Sequence, residues 1–209
     1  MRLARLYLRS RLIPHATAVL AVVALATWGT ACWILSPSGT PERLVVVLVF
    51  APLAAACVLG ASTHSPFGDT ERVVPYSLPL LRLGHLVGLL LLVAPLLCLT
   101  VASPQPDAKI MPDRIPDYPA LVMTRNLIGS VGFAFLAARA VGAYLSWTLP
   151  VTFVLILPLV AGGTGGMRWA WPAQPATDGL SWAIALVLFV VGLAAVVLWG
   201  TATQDGEPG

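Results

Sequence analysis

Charge is what this chain has least of. Only 10% of its 209 residues are Asp, Glu, Lys or Arg, while 58% are hydrophobic and the mean hydropathy is +0.87. A soluble domain draws about a quarter of its residues from those four types, so water cannot be the solvent for most of this surface. Lysine is nearly missing: Lys109 stands alone beside eleven arginines, and together with abundant Ala, Leu, Val, Gly and Pro this reads as a GC-rich bacterial coding bias. Cysteine is scarce too. Cys32, Cys57 and Cys98 are odd in number and far apart within apolar runs, which speaks against a disulfide framework or a zinc site and for small packing residues. No His-Glu-x-x-His, Gly-x-Ser-x-Gly elbow, paired-Asp motif or Walker loop occurs. His15, His64 and His85 are widely separated and read as interfacial residues. The chain is therefore not expected to be an enzyme by itself, and neither a resident cofactor, a metal nor a nucleic-acid partner is expected.

What is present is a series of long apolar runs. A bilayer core of roughly 30 Å needs about 20 helical residues to span it. Residues 17–36, 44–62, 83–102, 121–146, 149–169 and 180–202 meet that need. The expected fold is an all-α integral membrane protein with six transmembrane helices, and no 20–50-residue repeat interrupts it. Arg2, Arg5, Arg9 and Arg11 precede the first run. The positive-inside rule then places the N-terminus in the cytoplasm, and six crossings return the C-terminus there, with 203–209 as a short tail.

The segments between the runs differ in kind. In residues 1–14, Arg2, Arg5 and Arg9 share one side of a helical wheel and Leu3, Leu6, Tyr7 and Ile13 the adjoining arc. That pattern suits a helix lying flat at the inner interface, broken from the first span by Pro14, or a segment that only sets topology. The inner loop 63–82 carries Phe67, Asp69, Glu71 and Arg72, with Pro66 and Pro75 around them. Ser65 or Asp69 can cap a short helix there, and Ser77 with Pro79 reads as the start of the helix leading into the third span. The outer loop 103–119 is rich in proline and extended. In the fourth run Gly129, Ser130, Gly132, Ala134, Ala137, Ala138 and Ala140 form a small-residue face suited to close helix contact. Arg125 and Arg139 sit near opposite ends of that run and are expected to snorkel toward the two interfaces. Gly162, Gly163, Gly165 and Gly166 should break the fifth helix near the outer side, with Trp169, Trp171 and Trp182 as an interfacial belt.

Taken together, residues 67–72 with 78–82, residues 125–129 through 146–150, and the broken outer end of the fifth run resemble the permease subunits of type-two ATP-binding-cassette exporters, bacterial systems whose ATPase is a separate polypeptide. The resemblance covers the whole chain as topology. It implies a coupling helix at about 66–74, with Glu71 as the main polar contact to the ATPase, and an N-terminal interfacial helix at 2–12. It also implies an outer re-entrant element at about 162–177. Its partners would be two ATPase subunits, which bind ATP and Mg, and a second permease, identical or a sister chain. The location would be the bacterial cytoplasmic membrane. The outer loop 103–119 is larger than this family leads one to expect. A different expectation from the same residues is a non-transporting membrane partner, an immunity, sensory or assembly factor, acting through the small-residue face of the fourth span.

Overall fold

Long uninterrupted apolar sequence leaves the backbone one way to satisfy itself in hydrocarbon, and that is helix. The computed structural model describes residues 13–34, 44–64, 78–102, 118–161 and 170–201. They form α1 (Ile13–Ile34), α2 (Leu44–Ala61), α3 (Leu78–Ala102), α4 (Pro119–Val141), α5 (Thr148–Ala161) and α6 (Gly179–Trp199), with 3-10 turns at Ala143–Leu145 and Trp171–Ala173. No strand occurs among the described residues. Five helices, all but α5, are long and apolar enough to cross a membrane. The protein is an all-α, multi-pass membrane protein.

Several boundaries differ from those expected. The first helix runs Ile13–Ile34, so it begins four residues earlier than expected, with Pro14 in its first turn. A proline in the first turn removes an amide that has no helical partner anyway, so the helix begins there. The fourth helix stops at Val141, short of residue 146, because Gly142 takes φ 92. That left-handed φ is open to glycine at little steric cost, and it ends the ladder. Gly200, at φ 76, ends α6 in the same way, with its amide donating to the Val196 carbonyl at 2.9 Å. The fifth run, expected over 149–169, is helical over the 14 residues Thr148–Ala161. That is about 21 Å at 1.5 Å per residue, short of a full span. Residues 162–169, including Gly162, Gly163, Gly165 and Gly166, lie outside the described residues. So do Arg2, Arg5 and Arg9, and Phe67, Asp69, Glu71 and Arg72.

The helix α4 is the axis of the bundle. Within its span 67% of residues are buried, against 28–56% in the other four. Its small residues are the reason. A Cβ at Gly132 would lie 2.5 Å from the Phe189 nitrogen and 2.6 Å from the Leu188 carbonyl oxygen. A Cβ at Gly192 would meet the Gly132 carbonyl in return. The backbones of α4 and α6 thus touch directly, which maximises dispersion contact where lipid supplies no hydrophobic drive. On its other sides α4 packs Leu127, Val131, Ala134, Phe135 and Ala138 into a core shared with Leu48, Ala55 and Leu59 of α2 and Val93 and Leu97 of α3.

Contacts distinguish two ends of the bundle. At one, His64 beyond α2 meets Tyr144, with ring centroids 4.7 Å apart and the Tyr144 hydroxyl 3.4 Å from Nε2. At that end too, the Arg82 guanidinium of α3 lies against Gly200 beyond α6. The other end holds Leu48 of α2, the first turns of α4 and α6, and the segment 170–178.

Gly132→Ala is expected to destabilise the bundle by about 2–3 kcal/mol through forced overpacking. Gly88→Ala, where no atom lies within 4 Å of the Cβ position, should change stability by no more than about 0.5 kcal/mol. Unfolding by SDS in mixed micelles measures both.

Candidate functional site

Arg125 and Asn126 occupy the second turn of α4, and both are fully buried. Consecutive helical residues point about 100° apart, so the pair reaches in two directions. Arg125 turns toward the segment that links α5 to α6. Its Nη1 donates to the Pro175 carbonyl at 2.8 Å, and its Nη2 to the carbonyls of Gln174 at 2.9 Å and Pro172 at 3.4 Å. The expected snorkelling of Arg125 does not occur. Three main-chain carbonyls come to the guanidinium inside the protein, which removes its need to reach the headgroups. Arg139, in contrast, is exposed in the last turn of α4, where a cation complements the carbonyl end of the helix.

Asn126 turns toward α2 as well. Its Nδ2 donates to the Leu48 carbonyl at 2.9 Å and to the Pro172 carbonyl at 3.1 Å. The first of these has a cause in the sequence of α2. Leu48 lies four residues before Pro52, which sits inside the helix. Proline has no amide hydrogen, so the Leu48 carbonyl loses the partner it would have in a continuous ladder. An unmet carbonyl in a buried, apolar setting costs about 1–3 kcal/mol. The Asn126 amide supplies the missing donor. Its Oδ1 lies 3.4 Å from Nε and Nη2 of Arg125.

The segment held by this pair has its own internal order. Trp171 is buried, and its ring fills the space left by Gly129, where a Cβ would fall 2.7 Å from Cζ2. It stacks on Phe153 of α5, with centroids 6.1 Å apart and an interplanar angle of 13°. Phe153 in turn lies 5.1 Å from Phe133. Trp171 is therefore a wedge between α4 and α5 and not a residue of an interfacial belt. Its neighbour in that expected belt, Trp182, is half-buried and donates Nε1 to the Ala176 carbonyl at 2.9 Å. Asp178 closes the segment by capping α6. Its Oδ2 accepts from the Ser181 amide at 2.9 Å and from the Ser181 hydroxyl.

No protein-family model, no curated protein and no solved structure matches this chain. The chemistry of the site must speak for it. The donors of Arg125 and Asn126 face main-chain carbonyls of Leu48, Pro172, Gln174 and Pro175. Such a set binds one part of the protein to another. Among the described residues no group of three His, Cys, Asp or Glu is placed to hold a metal ion. The three cysteines are free; Cys32 is exposed, and Cys57 and Cys98 are partly buried.

The residues Gly129 and Gly132, singled out as packing positions, lie against Trp171 and α6 respectively. What sequence reasoning passed over is the Arg125–Asn126 pair as a tie and Pro52 as the origin of its acceptor. A proline and a polar pair inside separate apolar runs were the visible signals.

At a second place, on the His64 end, Thr63, Arg82, His85, Leu86, Val196, Gly200 and Thr201 line a cavity of about 10 Å³. That is room for about one water. Its lining joins both stems of the 65–77 connection to the end of α6.

Two outcomes test the site. Arg125→Ala removes the hydrogen bonds of the guanidinium to the Pro172, Gln174 and Pro175 carbonyls and should destabilise the fold by about 3–5 kcal/mol. Arg125→Lys, which keeps the charge but loses the planar fork, should recover part of that loss in the same micelle unfolding measurement. Ser181 holds the Asp178 carboxyl below the usual carboxylate range, its side-chain hydrogen bond being the largest cause and the nearby Arg125 charge a smaller one. A lowered folded value means this contribution is complete above the unfolded-chain value of 3.8 and is lost as pH falls through the folded value. Acid titration of stability below about pH 4 should show that loss in the parent, and Asp178→Asn should lack it.

Proposed function

We propose that this protein is the permease subunit of an ATP-driven exporter of hydrophobic or amphipathic small molecules or peptides, coupled through residues 63–82 to a separate ATPase in the bacterial cytoplasmic membrane. The observation that carries the reading is the anchoring of both stems of that connection. His64 is held to Tyr144 at the turn between α4 and α5, and Arg82 lies against Gly200 at the end of α6. Thr63, Arg82 and Gly200 converge around one small cavity. A force applied to residues 65–77 therefore reaches the ends of α2, α3, α4 and α6 at once, which is what a coupling lever requires. On this reading six spans cross the membrane, the His64 end faces the cytoplasm, and Phe67, Asp69, Glu71 and Arg72 contact the ATPase. The arginines Arg2, Arg5 and Arg9 rest on the inner surface. The outer re-entrant element runs from Gly162 through residue 177, and its last part is the segment held by Arg125.

The second permease that such an exporter needs has a place to pack. Gly84 and Gly88, one turn apart on α3, have no atom within 4 Å of their Cβ positions, whereas Gly60, Gly129, Gly132 and Gly192 are all filled from within. This also weighs against a non-transporting partner acting through α4. Of its small residues, Gly129, Ser130, Gly132, Ala134, Ala137 and Ala138 are buried inside the bundle, and Ala140 alone of that face is exposed.

The test is purification of the tagged chain from its native membrane. A nucleotide-binding subunit should come with it, and recovery without one rejects the exporter reading. In the reconstituted complex, Glu71→Ala should lower substrate-stimulated ATP hydrolysis about tenfold, or 1.4 kcal/mol of coupling, with membrane insertion unchanged.

A further inference from the structure

The Asn126 side chain bonds to two parts of the molecule at once. One hydrogen of its planar amide goes to the Leu48 carbonyl, which Pro52 has released from the ladder of α2, and the other to the Pro172 carbonyl in the segment 170–178. The two hydrogens are fixed in direction by the amide plane. Both acceptors are satisfied together only in one placement of α2 against that segment. Pro172 is also an acceptor of Arg125, whose other bonds hold Gln174 and Pro175. Beyond Pro52, α2 continues to the opposite end of the bundle, where His64 meets Tyr144.

We propose that Pro52, Asn126 and the Pro172 carbonyl form a mechanical coupling, so that a change of α2 at its proline break and the release of the segment 170–178 from α4 occur together. When the Leu48 carbonyl shifts, the Asn126 amide follows it and leaves Pro172, or stays and orphans Leu48; either way a buried polar group loses its partner. The segment is suited to release because what it gives up at Arg125 and Asn126 is hydrogen bonding, which water can replace. A purely apolar seal would have no such substitute. Trp171, seated on Gly129, sets the closed position. The coupling belongs to this chain alone and stands whether or not an ATPase drives it.

The test needs only the purified full chain in detergent. In a background with Cys32, Cys57 and Cys98 replaced by Ala, Ala176→Cys places a thiol at a position that is 5% exposed in the closed arrangement. A water-soluble maleimide then reports release of the segment. Pro52→Ala restores an amide to Leu48 and removes no polar partner of the segment. It is expected to raise the labelling rate about threefold or more, the low end for groups sharing one network. Asn126→Leu should do the same, and the double variant should label no faster than the faster single. Labelling in Pro52→Ala equal to the parent, effects that multiply in the double variant, or a thiol that never labels in any of them overturns the proposal. Pro52→Ala carries the test by itself if Asn126→Leu does not fold, since it returns a hydrogen bond to the helix.

Discussion

Hydrocarbon tolerates no unpaired main-chain polar group, and a helix satisfies this demand only for as long as its ladder is unbroken. In this protein the ladder fails inside α2 at Pro52 and inside α3 at Pro95, and between residues 170 and 178 the only helical piece is the 3-10 turn Trp171–Ala173. The failures at Pro52 and in the segment 170–178 are met by one pair of neighbouring side chains, Arg125 and Asn126, whose donors face the carbonyls of Leu48, Pro172, Gln174 and Pro175. A charged side chain in the middle of a span costs about 3 kcal/mol on insertion scales. Retaining one here makes sense because its guanidinium meets three carbonyls of the segment 170–178, those of Pro172, Gln174 and Pro175. The rest of the architecture follows from this tie: α2, α4 and the segment leading into α6 are bound at one level of the bundle.

The position of that tie depends on α4 having almost no side chains in the way. Glycine in a helix costs about 1 kcal/mol relative to alanine, and α4 carries two. Gly129 admits the Trp171 ring and Gly132 admits the backbone of α6. The first lets the 170–178 segment come deep enough for Arg125 to reach it. The second fixes α6 close to α4, and Asp178, which caps α6, anchors the far end of the same segment. Packing and polar pairing therefore specify the same arrangement, and loosening either loosens the other.

The helices were legible because a run of about 20 apolar residues has one structural solution in lipid. Their ends were less so. Val141 and Trp199 end their helices because Gly142 and Gly200 take positive φ, and a glycine inside an apolar run does not announce which conformation it will adopt. The reading of Trp171 as an interfacial residue failed for a related reason: tryptophan is enriched at interfaces, but the vacancy at Gly129 lies about forty positions earlier in sequence. Arg125 misled in the same way. Its distance from the end of the helix permits snorkelling, and only the folding-back of residues 172–175 makes inward pairing the better solution. Pairings of this kind are nonlocal, so composition and spacing within one span cannot reveal them. Phe67 to Arg72, expected to couple to an ATPase, and the glycines Gly162 to Gly166, expected to break a helix, lie outside the described residues.

The two polar places in the bundle lie at opposite ends and differ in kind, and this bears on where cargo could pass in an exporter. The cavity at Thr63, Arg82, His85 and Gly200 has room for about one water, and the Arg125–Asn126 tie encloses its donors against main-chain carbonyls. Neither is a chamber for an amphipathic molecule. Around α4, where a path through a single chain would have to run, Leu127, Val131, Ala134, Phe135 and Ala138 are closely packed. A path formed by one copy would require this core to come apart, at the cost of the α4–α6 backbone contact. A path between two copies requires only that exposed faces separate, and α3, with Gly84 and Gly88 open and Leu91 and Leu99 exposed, offers such a face. On the exporter reading, therefore, the bundle is the rigid half of a pair, and α2 is the element within it that can carry movement from one end to the other.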